Sequence, residues 1–445
     1  MASDLLSIAR SGAQAARIAL DVTAQNIANA SSAGYVRRSV RLAEVASSGG
    51  AGRIGDISLS GVRLDSVVRN ADLFRQAEVR RTGSDAARAN AEVAGLENIE
   101  AAVEQANVFP AITQFEGALQ QLASDPTDPS LRSAVIETAR TMTRTFNIAA
   151  QGLDAAGSNL RFEASDGVAQ INLLAGELGR VNLRLARAAD ASSDQSALLD
   201  QRDSLLEQLS QYTDVSTTIS PDHTVEVRLG GASGPQLVTG GTAAPLAMTS
   251  AGDGTIAFTL GGSAVTPAAG SLAGRAQALT KLVDVRTKLN GVAASVISTL
   301  NTAQTGGVAL DGSAGQPLFS GTDAATMTLA FETGSKLATA PAGAAAGSRD
   351  PANLTALRSA LSTADPSGAM DAMLFDVSGT VAGRSITRDA LQTIAGSAKI
   401  ALEAEAGVDL DAEAVNLIRY QQAFQASGRA MQVAATLFDT LLAIR

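Results

Sequence analysis

The only histidine, His223, sits in the run Pro221-Asp222-His223-Thr224, and cysteine is absent. One histidine without a thiol excludes the usual zinc sets and a Cys/His relay, and a Ser/His/Asp relay would have to run through that one turn. His223 therefore reads as a solvent-exposed turn residue. Carboxylates offer more material: Asp200, Asp203 and Glu207 lie on one helical stretch ending at Tyr212. A carboxylate pair could serve as acid and base on a glycoside, but Arg202 stands among them and the group reads as a solvated helix face. Leu229-Gly230-Gly231-Ala232-Ser233-Gly234 lacks the lysine and helix start that a phosphate loop requires. Asp253-Gly254 and Asp311-Gly312 would suit calcium only within a repeat array, and no array is present, so they read as tight turns. No catalytic residue, metal ligand or cofactor site is expected, and the chain reads as non-enzymatic.

The strongest pattern lies at the chain ends. Leu410, Leu417, Phe424, Met431 and Phe438 recur every seven residues, with Ala414, Gln421, Gly428, Ala435 and Leu442 four positions behind each. This four-then-three spacing keeps one stripe of a long helix turned toward a neighbouring helix. Val433, Leu437, Leu441 and Ile444 widen the stripe. At the other end Leu6, Ala13, Leu20 and Ile27 repeat at the same interval, flanked by Ile8, Ala15 and Val22. Such helices need their apolar faces buried against something. An antiparallel terminal pair closed by a long excursion satisfies this; two unrelated surface helices docked on a globular core is the alternative. The polar faces are not rich in Lys and Arg, so helix–helix burial is favoured over a membrane surface.

A chain of 445 residues is too long for one core and reads as two to four domains. Aromatics are only 3% and Trp is absent, while Ala and Gly abound, which suits cores made by close helix approach. Net charge is 34 minus 44, or -10, and the pairs Arg37–Arg38 and Arg80–Arg81 are short, so no nucleic-acid partner is expected. There is no leader-like start and no run of 18 apolar residues. The expectation is a chain that does not insert into a membrane and is exported by a route that cuts no leader.

Along the chain, residues 4–29 read as a helix with Ser3 or Asp4 as its cap, followed by a turn in which Gly34 takes a backbone angle other residues resist. Extended segments at 36–45 and 57–64 flank a Gly/Ser-rich loop at 47–55. Residues 70–122 read as helical, with Pro110 either breaking the region or lying near the start of a second helix. Further helices are expected from Ser130, at 167–187 and at 198–212. Val215, Thr217, Ile219 and Val225, Val227, Leu229 alternate as a hairpin, opening a β region over 214–270. Helix returns at 271–301, near 352–361, at 389–405 and from 408.

Two stretches carry a family resemblance. Ala19-Leu20-Asp21-Val22-Thr23-Ala24-Gln25-Asn26-Ile27-Ala28-Asn29, then Ala33-Gly34-Tyr35-Val36-Arg37, resembles the N-terminal signature of flagellar rod, hook and hook-associated axial proteins. Gly407-Val408-Asp409-Leu410-Asp411-Ala412-Glu413-Ala414-Val415-Asn416-Leu417, then Tyr420-Gln421-Gln422-Ala423-Phe424-Gln425-Ala426, resembles its C-terminal partner. The interior is similar to the branch forming the first layer of the hook–filament junction. That likeness rests on Leu199-Asp200-Gln201-Arg202-Asp203-Ser204-Leu205-Leu206 before the hairpin, and on Leu300-Asn301 leading through Gly306 and Leu310-Asp311-Gly312 to Leu318-Phe319. It thins at 235–270 and 330–385, and the chain is compact for this branch.

The fold expected is mainly α with inserted β, an elongated multidomain axial protein: a long helical bundle built from both termini plus a small β-rich outer domain. Its domains would be 1–65 with 406–445 (inner tube), 66–213 with 271–305 and 386–405 (helical bundle), and 214–270 with 306–385 (β-rich). The resemblance implies a structural, extracellular role at the hook–filament junction, reached by flagellar type III export. Implied partners are the hook protein, the second junction protein, copies of the chain itself and a dedicated export chaperone at the C-terminus. Leu6, Leu20, Ile27, Leu410, Leu417, Phe424, Met431, Phe438 and Leu442 would pack between subunits. Asn26, Asn29, Gly34, Tyr35, Arg37, Leu410, Glu413, Asn416, Tyr420, Gln421 and Gln422 carry the signature. Another axial protein (a second junction or filament protein), or a secreted adhesin or enzyme acting through the β-rich middle, is the alternative.

Overall fold

The structure, a computed structural model, describes residues 2–32, 34–47, 58–190 and 192–443. In chain order, helix α1 (Ala2–Asn29) is followed by strands β1 (Arg38–Ser47) and β2 (Ser58–Arg69). Helices α2 (Leu73–Glu104), α3 (Val108–Leu122), α4 (Pro129–Leu185) and α5 (Ser193–Tyr212) come next. Strands β3 (Val215–Ile219), β4 (Val225–Leu229), β5 (Gln236–Thr239), β6 (Thr242–Ala243), β7 (Leu246–Ser250), β8 (Ile256–Leu260) and β9 (Ser263–Val265) lead into α6 (Gly270–Thr305). Then β10 (Gly307–Ala309), β11 (Phe319–Ser320), β12 (Thr328–Leu329) and β13 (Ala338–Pro341) precede α7 (Ala352–Ala364), α8 (Pro366–Ala406) and α9 (Leu410–Ala443). The protein is mainly α with inserted β, as its residue pattern predicts.

Several helices differ from expectation, each for a local reason. The break in the region 70–122 falls at Asn107, whose φ of 56° is left-handed, while Pro110 lies in the first turn of α3, where its missing N–H costs nothing. The two helices expected between 130 and 187 are one rod of 57 residues. Leu153, Leu160, Ala164, Val168 and Ile171 keep a continuous buried stripe through it, and that burial outweighs the roughly 1 kcal/mol each that Gly157 and Gly167 cost in a helix. The region 306–385, expected to be β-rich around a short helix near 352–361, is helical from Ala352 onward except at Asp365. Met370, Met373 and Val377 supply its buried stripe, which surrounding Ser, Gly and Thr residues obscure in the sequence. Pro366 opens α8, and Asp365 Oδ1 accepts from the Gly368 N–H at 3.0 Å. Of the loop expected at 47–55, Ser47 ends β1 and the remainder lies outside the described residues.

Contacts divide the chain into two units. One comprises Met1–Gly83, Asn172–Pro245 and Gln392–Arg445. In it α1 packs on α9 and on the antiparallel β1–β2 hairpin, and the sheet β3-β4-β5-β6 follows α5. The expected hairpin register is present, with Val215 opposite Leu229 and Ile219 opposite Val225. Asn182 of α4 clamps the start of β4: its Nδ2 donates to Val225 O at 2.8 Å and its Oδ1 accepts from the Val225 N–H at 3.0 Å.

The other unit comprises Ser84–Ile171 and Leu246–Leu391. Its core gathers α2, α3, α4, α6, α7 and α8 around Phe115, Phe146, Leu153, Leu289 and Met370, with Phe115 edge-on to Phe319 at 6.3 Å between ring centroids. The sheet β7-β8-β9 belongs to this unit, so strands 215–243 and 246–265 are two sheets in different units. Small residues bring α2 and α6 together: a Cβ on Gly274 would meet Arg88 O at 2.2 Å, and one on Gly95 would meet Ala278 Cβ at 2.5 Å. Arg132 is 1% exposed and, among the described residues, pairs with no carboxylate. Its guanidinium instead donates to the carbonyls of Pro126, Gly334 and Leu337 and to Thr339 Oγ1, at 2.6–3.0 Å. Burial pushes its pKa down from the usual arginine range, and these acceptors hold the loop before β13 in place.

Replacing Arg132 by Leu strands those carbonyls, each of which costs about 1–3 kcal/mol when buried without a donor. The expected outcome is a loss of about 3 kcal/mol or more from the Ser84–Ile171/Leu246–Leu391 unit, measured by urea unfolding with hydrogen exchange localised to 333–340.

Candidate functional site

Because catalytic constellations are absent from the sequence pattern, the candidate site is the terminal helix pair and what anchors it. The pair is antiparallel: Gly12 approaches Ser427, whose Oγ would lie 3.0 Å from a Cβ built on Gly12, while the chain just beyond α1 reaches the first turn of α9. On α1 the buried face is small, made of Ala9, Ala13, Ala16, Ala19 and Val22 together with Thr23 and Asn26. On α9 Glu413 and Ala434 are buried. Ser11 Oγ accepts from the Val62 N–H at 3.2 Å, and Gly61, at φ 99°, lets β2 pass close to α1.

Half of the described residues expected to pack between subunits are left open in the single chain. Leu6, Leu410, Phe424 and Phe438 are exposed, and Leu20, Ile27, Leu417 and Met431 are half-buried. The Leu442 side chain, Ile444 and the capping side chains of Ser3 and Asp4 lie outside the described side chains. Leu5, Ile8, Val415, Ile418, Val433 and Leu437 are also exposed. The seven-residue pattern thus marks surface that α1 alone does not cover.

The signature residues converge where α1 ends and α9 begins. Asn26, 1% exposed, donates from Nδ2 to Arg38 O at 2.8 Å, and its Oδ1 accepts from the Arg38 N–H at 3.0 Å and the Tyr35 hydroxyl at 2.8 Å. Gly34 has φ 77°, the left-handed angle expected of it. Arg37 Nε donates to the buried Glu413 Oε1 at 2.8 Å, and its main-chain N–H donates to Ala406 O at 2.9 Å. Glu413 also sits in the first turn of α9, where the helix dipole favours a negative charge. Tyr35 stacks under the Arg38 guanidinium at 5.2 Å, and burial raises its pKa, against the opposing effect of Arg38. Asn29 makes only a local bond to Gln25 O, while Tyr420 is half-buried beside Arg419, Asn416 is half-buried, and Gln421 and Gln422 face outward.

Asp200 and Asp203 do not form a solvated face. Arg38 and Arg69 stand opposite each other at the base of the hairpin, a like-charge pairing that would repel. Asp200 bridges them, accepting from Arg38 Nη2 at 3.1 Å and Arg69 Nε at 2.6 Å. Asp203 accepts from Arg69 Nη1 at 2.7 Å, Arg202 Nε at 2.9 Å and Gln76 Nε2 at 3.0 Å. Both carboxylates are at most 15% exposed; Glu207 alone of the three expected acids is exposed. Burial by itself would raise the Asp203 pKa, but the Arg69 and Arg202 charges outweigh it and hold the carboxyl below its usual range. Arg202 continues to the main-chain O of His223 at 2.8 Å, and His223 itself is an exposed turn residue at φ 64°. The hairpin arginines come from more than a hundred residues away in sequence, which is why spacing on α5 did not disclose them. Among the described residues no group of three or more His, Cys, Asp or Glu could hold a metal ion, and no helix is long and apolar enough to cross a membrane.

The terminal pair thus converges on a two-stranded base, and comparison with known proteins identifies the class of chain to which it belongs. Residues 6–35 match the flagella basal body rod protein model, and residues 403–444 match the flagellar basal body rod FlgEFG protein C-terminal model. Residues 93–319, just over half of the chain, match the flagellar hook-associated protein FlgK helical domain. The chain belongs to the flagellar hook-associated protein 1 family. Flagellar hook-associated protein 1 of Salmonella typhimurium is 30% identical over 250 residues, covering 55% of this chain and 44% of that protein. The Bacillus subtilis protein of the same name is 28% identical over 220 residues, covering 48% of this chain and 43% of that protein. The matched regions thus span less than half the length of these relatives. The flagellar hook junction protein FlgK from Burkholderia pseudomallei, a solved structure, aligns with TM-score 0.49 and 25% identity over 55% of this chain and 46% of that one.

Asp203 supplies a pH test. Its native pKa lies below the unfolded value of about 4, so the stability it contributes is fully present above about pH 4 and is lost as pH falls through the lower native value. Asp203→Asn is expected to lower stability at neutral pH and to flatten the acid limb of the unfolding profile followed by circular dichroism. Asn26→Leu, which leaves both Arg38 main-chain groups without their partner, is expected to raise hydrogen exchange at 35–39 in the assembled protein.

Proposed function

We propose that this protein is a structural, non-enzymatic component of the bacterial flagellum that builds the junction between hook and filament. The observation that carries the reading is the apolar surface of α1 and α9 left open after they pack on each other, in a chain of the hook-associated protein 1 family. Contiguous exposed apolar surface of this kind marks a site of association. Equivalent helices of neighbouring copies would cover Leu6, Leu410, Leu417, Phe424, Met431 and Phe438, with Leu20, Ile27 and Leu442 completing the stripe and forming the inner tube of an axial structure. The hook protein on one side and the second junction protein on the other are the neighbours this role requires. Export through the flagellar type III apparatus, with a dedicated chaperone shielding the C-terminal helix, places the assembled protein outside the cell.

Two measurements test this. In the isolated chain the pair buries too little surface to offset the entropy of ordering two long helices. Residues 1–35 and 408–445 should therefore exchange amide hydrogens rapidly in the monomer and become protected on assembly; strong protection of both ends in the monomer contradicts the reading. Phe424→Asp should abolish incorporation at the hook tip and leave cells without filaments, while circular dichroism of the purified variant keeps the wild-type helical signal. Normal filaments in such a strain would overturn the proposal.

A further inference from the structure

Residues 35–38 form a short strap that touches α1, α5, α8 and α9. The Tyr35 hydroxyl donates to Asn26 Oδ1 on α1, and both main-chain polar groups of Arg38 bond to the same asparagine. The Arg38 guanidinium donates to Asp200 on α5. Between these fixed points the Arg37 N–H donates to the carbonyl of Ala406, the last residue of α8. Its own carbonyl accepts from the N–H of Asn70, just beyond β2, and both bonds measure 2.9 Å. The Arg37 side chain then crosses to Glu413 in the first turn of α9. Arg37 is thus held on both sides, and it cannot turn away from α9 without disturbing its neighbours.

Glu413 makes this contact all-or-none. Its side chain is 2% exposed and, among the described residues, Arg37 is the cation paired with it. A buried carboxylate that loses its cation is strongly disfavoured, so it does not stay in place alone. If Arg37 leaves, the first turn of α9 leaves as well. Three residues, Gly407–Asp409, separate that turn from α8. Asp409 Oδ1 accepts from the N–H groups of Asp411 and Ala412, so Glu413 moves with the helix start as one piece. Where Gly12 approaches Ser427, the helix pair has no charged contact of this kind. We propose that the strap is a coupling device, in which docking of α9 and anchoring of the hairpin base on α5 through Arg38 and Asp200 occur together. Whatever orders α9 then tightens the Arg38–Asp200–Arg69 network, and by linkage a tight network favours docked α9. The coupling is a property of the single chain and does not rest on the junction role.

The test is hydrogen exchange on the isolated full chain across a titration with trimethylamine N-oxide, which strengthens burial. In wild type, protection of 410–420 and of 38–44 is expected to rise along one curve with one midpoint. Variants are compared at a fixed osmolyte concentration above that midpoint. Arg37→Gln should speed exchange at 410–420 at least about tenfold. Adding Glu413→Gln should recover part of that loss, because no charge is then buried without a partner; a packing role alone predicts further loss. Asp200→Asn, on the α5 side, should speed exchange at 410–420 in the wild-type background and leave it unchanged in the Arg37→Gln background. Exchange across 130–170 serves as the control that each variant is folded. Separate midpoints in wild type, further loss in the double variant, or an effect of Asp200→Asn at 410–420 that is absent or independent of Arg37 would overturn the proposal. Failure to incorporate at a hook tip would leave these measurements unchanged, so the two readings fail separately.

Discussion

Main-chain N–H and C=O groups at the points where strands meet helices must find partners, and here helix side chains provide them. Among the described residues three helix asparagines grip both polar groups of one strand residue: Asn26 on Arg38, Asn182 on Val225 and Asn301 on Phe319. Gln304 and Arg132 do related work at the loop before β13. The strands are short and several have a single neighbour in their sheet, so a ladder alone leaves their ends unpaired. A carboxamide that both donates and accepts replaces the missing strand, and it fixes register because only one residue can fit between its two ends.

The terminal pair adds charge to this device. α1 and α9 meet through small and polar residues, while the anchoring of the hairpin rests on Arg37–Glu413 and on the arginine–aspartate network around Asp200 and Asp203. Ion pairs of this sort define geometry more than they add net stability, because taking the charges out of water consumes most of their attraction. The consequence is a pair whose direction and register are specified while much of its apolar surface is unspent. That division leaves the pair dependent on further burial for its stability.

The same alanine-rich, aromatic-poor composition serves the second unit differently. There Gly95 and Gly274 let α2 and α6 approach to backbone contact, and Phe115, Phe146 and Phe319 sit in the core. Close approach increases dispersion contact along the rods and replaces volume that larger side chains fill in other cores.

The amino-acid sequence by itself determined the terminal helices, the hairpin from Val215 to Leu229, the left-handed Gly34 and the family, because each rests on local periodicity or on a motif of adjacent residues. It also showed Asn26, Tyr35, Arg37 and Glu413 as members of two signatures without showing that these meet. Only the tertiary structure decided that Asp200 and Asp203 are half-buried, paired acids, since their partners Arg38 and Arg69 arrive from a distant hairpin. It likewise decided that α4 runs unbroken through Gly157 and Gly167 and that most of 362–388, between two expected helices, is also helical, where burial against other helices overrides weak local propensity. Periodicity reports which face of an element is apolar; which charges share that face's neighbourhood is set by chain segments that no local pattern can connect.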